Sequence, residues 1–159
     1  MESFVPSVIT PYGYMHTFIS VLSMAAGIWA WIDGGRISGT RLSGKIFYAV
    51  TLIGILTGVT IFHHGGFGVG HVLSLFMLVL FIVALVASLK SFWILEVIAS
   101  SLLYFLIWVF ATTETLTRVP QDHPFAASPT DPNLVPVRGA LFIFVIAGLV
   151  WQYRKFRLR

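Results

Sequence analysis

Five histidines and no cysteine bound the chemistry open to this chain. Imidazole is the commonest protein metal ligand. The absence of cysteine excludes disulfides, thiolate catalysis and cysteine-built metal sites. Two ligand sets follow from His16, His63, His64, His71 and His123. In the first, two histidines on different helices clamp a haem iron from both faces, as helical bundles do. His16 with His63 or His71 is the pairing to expect, with His16 and His71 as the ligands of a b-type haem. In the second, three imidazoles and a carboxylate hold a transition metal such as zinc, copper, nickel or non-haem iron. His16, His63 and His71 are then the primary ligands. His64, His123, Glu114 and Asp122 are secondary candidates. Adjacent residues on a helix point about 100 degrees apart, so His64 is expected to face away if His63 faces in. His123 joins only if its proline-rich surroundings fold over the rest.

Other chemistry has little support. No nucleophile elbow accompanies the Ser, His and Asp residues. Gly66-Phe67-Gly68-Val69-Gly70 lacks the strand and helix context of a dinucleotide fingerprint, and there is no P-loop. Glu96 is an acid inside an apolar stretch. It is expected to pair with Lys90 or Lys45, to reach for the interface, or to serve as a proton-accepting carboxylate. Nothing marks the chain as an enzyme.

The elements that must position these residues are membrane spans. The 159 residues are 57% hydrophobic and only 10% charged, with a mean hydropathy of +0.90; a soluble domain carries roughly 25% charged residues. Five stretches approach the roughly 20 apolar residues that a spanning helix needs. They run from Gly13 to Ile32, Lys45 to Phe62, His71 to Leu89, Phe92 to Thr113 and Gly139 to Tyr153, the last being short. A single all-α integral membrane domain of five helices is therefore predicted. Strict apolar/polar alternation, the mark of a barrel, is absent.

Orientation follows from Lys and Arg. Arg36, Arg41, Lys45, Lys90, Arg154, Lys155, Arg157 and Arg159 fall on one side of the five spans; Arg118 and Arg138 fall on the other. The N-terminus is expected outside and the C-terminus in the cytoplasm, which puts all five histidines on the outer face of a bacterial cytoplasmic membrane. Trp29, Trp31, Trp93 and Trp151 fall at the inner boundary, while Tyr12 and Tyr14 mark the outer one. The net charge of +4 is then a positive-inside signal with attraction to anionic lipid heads, and calls for no nucleic-acid partner. The N-terminal residues lack a basic region, so no cleavable signal peptide is expected.

Gly54 and Gly58 form a small-xxx-small pair for close helix approach. The connection from His63 to His71 holds four glycines and no charge. The stretch Glu114–Arg138 holds Pro120, Pro124, Pro129, Pro132 and Pro136 and reads as a long irregular connection, which Phe125, Leu134 and Val135 could tack down as a lid.

Residues 14–89 carry His16, Thr40-Arg41-Leu42-Ser43-Gly44-Lys45-Ile46-Phe47-Tyr48, Leu56-Thr57-Gly58 and Gly65-Gly66-Phe67. In these pieces the chain resembles an uncharacterised family of small bacterial polytopic membrane proteins with a His-Arg-x-x-Gly-Arg-x-Tyr element. Thr40 stands where that family has His, and Lys45 where it has the second Arg. The resemblance implies a helical membrane bundle and no particular reaction.

Three functions fit these expectations. One is a haem- or metal-binding membrane protein for electron transfer or metal handling. Another is a non-catalytic accessory subunit of a larger membrane complex or homo-oligomer. The third is a small transporter or membrane enzyme for a lipid-soluble substrate.

Overall fold

Thr10 and Pro11 open the first helix. The Thr10 hydroxyl accepts the Gly13 N–H at 3.1 Å, and Pro11 occupies a first-turn position where its missing donor costs nothing. Helix α1 spans Pro11–Gly34 and stops at Gly35, whose φ of +73° is the left-handed conformation suited to glycine. Helices α2 (Leu42–Val59), α3 (Val69–Leu89), α4 (Trp93–Leu116) and α5 (Leu134–Arg157) follow. The computed structural model describes residues 10–61, 67–120 and 122–157, and no strand occurs among them. All five helices are long and apolar enough to cross a membrane. Even α2, the shortest at 18 residues, is about 27 Å long.

The predicted spans match the five helices one for one, with different ends: α2 stops at Val59 and α4 starts at Trp93, while Phe62, the predicted end of the second span, lies outside the described residues. The largest correction is at α5, which is 24 residues long rather than short. It starts at Leu134 because Pro136 lies in the first turn, where no intrahelical bond is lost. Arg138 is therefore helical. Its guanidinium donates to the Thr113 hydroxyl at 3.2 Å and the Pro129 carbonyl at 2.6 Å. Glu114 is likewise inside α4, so the irregular connection shrinks to residues 117–133.

Helices α1 to α4 form a ring, each packed on the next, with α4 closing against α1; α5 packs chiefly on α4, and its Trp151 stacks on Trp31 of α1, centroids 5.9 Å apart. Alternating direction puts the starts of α1, α3 and α5 at one end, here the histidine end. The opposite, arginine end carries Arg36, Arg41, Lys45, Lys90, Arg154, Lys155 and Arg157. Phe47, Tyr48, Phe81, Leu103 and Ile107 fill the ring with Ala26, Ala30 and Ala84. Close approach of α1 and α4 depends on Gly27. A methyl there would sit 2.2 Å from the Tyr104 ring, whose hydroxyl donates to the Met24 carbonyl. Along α5 only Leu134, Val145 and Gln152 are buried. That spacing is one helical stripe. Gln152 anchors it by donating to Ser101 on α4.

The 117–133 connection is tied to its flanking helices. Ala126 N–H donates to the Leu116 carbonyl, and the Asp131 carboxylate accepts the Ala127 and Asn133 N–H groups at 2.7 and 2.8 Å. These two bonds hold the Asp131 pKa below its ordinary 3.8. Because the folded value is depressed, the turn has its full stabilisation above the ordinary value and loses it as pH falls through the lower folded value. Amide exchange should therefore show Ala127 and Asn133 losing protection in that acid window, and Asp131→Asn should flatten the response.

Candidate functional site

From the histidine end to mid-helix, α1 and α2 are joined by three side-chain bonds. Tyr12 bonds Thr60, His16 bonds Thr57 and Ser23 bonds Thr51. In the middle rung the Thr57 oxygen lies 2.8 Å from His16 Nδ1 and 2.9 and 3.0 Å from the Ile53 and Gly54 carbonyls. With the Thr57 hydrogen on a carbonyl, the usual choice of a helical threonine, His16 Nδ1–H donates to Thr57 and Nε2 is the unprotonated nitrogen. The half-buried ring lies beside Gly58, where a Cβ would approach its Cε1 to 3.2 Å and the Ser74 hydroxyl of α3 to 3.5 Å. Helices α1, α2 and α3 thus converge at Gly58.

His71 is one turn before Ser74 on α3 and is buried, 7% exposed. It occupies the third position of the helix, from which its Nδ1 accepts the Gly68 N–H at 3.0 Å. Phe67 stacks on the ring at 5.0 Å. Nδ1 is therefore unprotonated, and in the neutral ring Nε2 carries the hydrogen.

The other candidates divide. His63 and His64 lie outside the described residues. His123 and Asp122 are exposed on a connection whose described bonds go to α4, α5 and itself. Glu114 pairs with Arg118 one turn on. Among the described residues, no group of three or more His, Asp or Glu side chains is placed to hold a metal ion.

Glu96 is not held by Lys90 or Lys45. Its carboxylate is 2% exposed and pairs with Arg36, whose Nε lies 3.4 Å from Oε2. The left-handed turn at Gly35 brings Arg36 back across the start of α4, and the Phe156 ring supports its guanidinium at 4.8 Å. A negative charge in the first turn of α4 also suits the helix dipole. Glu96 Oε1 is buried without a protein hydrogen-bond partner. Neither the arginine partner nor the Thr57 support of His16 was anticipated. A signal existed for each: the Gly34-Gly35 pair at a helix end, and the threonine before Gly58.

No family model, curated protein or solved structure matches the chain.

Proposed function

We propose that the chain is a multi-pass protein of the bacterial cytoplasmic membrane, with its N-terminus outside, that handles a transition metal at an outward-facing histidine site. The segregation of Arg and Lys to the end opposite the described histidines supports the orientation. The observation that carries the metal reading is the His16–Thr57 bond. Metal-ligating histidines characteristically donate their other ring N–H, which fixes ring orientation and leaves the second nitrogen to coordinate. His16 makes the supporting half of this arrangement, through Nδ1 to Thr57. His63 is the ligand proposed to join it, with His64 a secondary candidate.

His71 takes a different part. Coordination through Nε2 would require a proton on Nδ1, opposed to the Gly68 N–H that Nδ1 now accepts. In this conformation His71 serves the α3 cap through Nδ1, and becomes a ligand only if that cap opens. A haem clamped between His16 and His71 would also have to part the packed contact at Gly58. These features favour a small ion over a porphyrin.

Elemental analysis of the full chain, purified in detergent and loaded with zinc or copper, tests the reading. About one metal per chain is expected, with loss on His16→Ala. Thr57→Val removes only the support and should weaken affinity by roughly 10- to 100-fold. A chain that retains no metal, or retains it unchanged after His16→Ala, would overturn the proposal; a Soret band in the purified protein would restore the haem reading.

A further inference from the structure

At the arginine end, α4 and α5 border an open groove of about 650 Å³. Its walls are apolar, with Ile94 and Ile98 from α4 and Leu149 and Val150 from α5. Its polar end is formed by Arg154 and Arg157. Trp93 and Tyr153 stack between the two zones, centroids 6.1 Å apart. Both arginines are exposed. Among the described residues, neither has a carboxylate partner, because Asp33 is paired with Arg41 and Glu96 with Arg36.

We infer that this groove binds one anionic phospholipid, its acyl chain along the apolar walls and its phosphate on Arg154 and Arg157. An apolar trough ending in two cations complements an amphiphile with a negative head. Tyr and Trp at the junction match the headgroup level of a bilayer, and two guanidiniums favour a lipid with net negative charge over a zwitterion that brings its own cation. The inference rests on the membrane-spanning reading and is independent of the histidine site. Recovery of the chain from the membrane fraction tests the spanning reading separately.

The experiment is native mass spectrometry of the full chain in detergent, with equal amounts of phosphatidylglycerol and phosphatidylcholine. One retained phosphatidylglycerol is expected in preference to phosphatidylcholine. Arg154→Gln with Arg157→Gln should lower its retention by roughly 25-fold, about fivefold for each charge near an anionic headgroup. Lys90→Gln, at the same end but outside the groove, should leave retention unchanged. Leu149→Trp, which fills the trough with both arginines intact, should also reduce it. Equal retention of the two lipids, an equal loss from Lys90→Gln, or no effect of Leu149→Trp would overturn the inference. So would full displacement by inorganic phosphate, which would mark a bare anion site. Metal content should be unaffected by the arginine changes.

Discussion

Arg36→Met should destabilise the bundle by about 3 kcal/mol, the lower end of the range for removing one partner of a buried ion pair. The lower end applies because the arginine side chain is 26% exposed while Glu96 is 2% exposed. The cost comes from the carboxylate left behind. Glu96 Oε1 already lacks a protein partner, and without Arg36 the charge on Oε2 loses its counterion too. Replacing both residues should therefore be milder than replacing the arginine alone. Thermal unfolding in detergent of Arg36→Met, Glu96→Gln and the double variant makes a closed cycle. Recovery of most of the lost melting temperature in the double variant is the expected result; additive losses would show that Arg36 acts elsewhere.

Gly44→Ala should be comparably damaging. A Cβ at position 44 would sit 1.9 Å from the Ser38 carbonyl oxygen and 2.5 Å from its carbon. Both are backbone atoms, so no rotamer change relieves the clash. The segment that would have to move is itself fixed, because Ile37 and Ser38 are buried and Gly39 N–H donates to Ser88 on α3. Overpacking of this kind costs about 3 kcal/mol at the upper end of its usual range. Gly54→Ala is the control. Its new methyl would meet only Ile19, at an ordinary 3.7 Å, and alanine gains about 1 kcal/mol of helix propensity over glycine. Similar melting temperatures for the two variants would refute the packing at Ser38.

The helices were legible in the sequence because uninterrupted apolar length needs no knowledge of neighbours. The start of α5 was not. Pro136 and Arg138 look like loop residues until the first-turn position of the proline and the Thr113 and Pro129 partners of the arginine are known. Glu96 was visible as an anomaly, but its counterion was not. Lys90 and Lys45 suggest themselves by their position along the spans, whereas Arg36 reaches it through a left-handed turn at Gly35. The histidines show the same limit. Spacing placed His16 and His71 at one end, yet the proton on each ring depends on a threonine 41 residues away in one case and on a helix cap in the other. Gly58 announced a close approach without naming what approached.

The three bonds between α1 and α2 also bear on the order of assembly. Their partners, Tyr12 with Thr60, His16 with Thr57 and Ser23 with Thr51, step in opposite directions along two antiparallel helices. Sliding one helix by a turn would break every rung. Such a ladder sets height and rotation together, and all of its members are made by residue 60. A growing chain thus carries everything needed to orient His16 before the first residue of α3 is synthesised. The third helix arrives at a seat already cut to shape at Gly58.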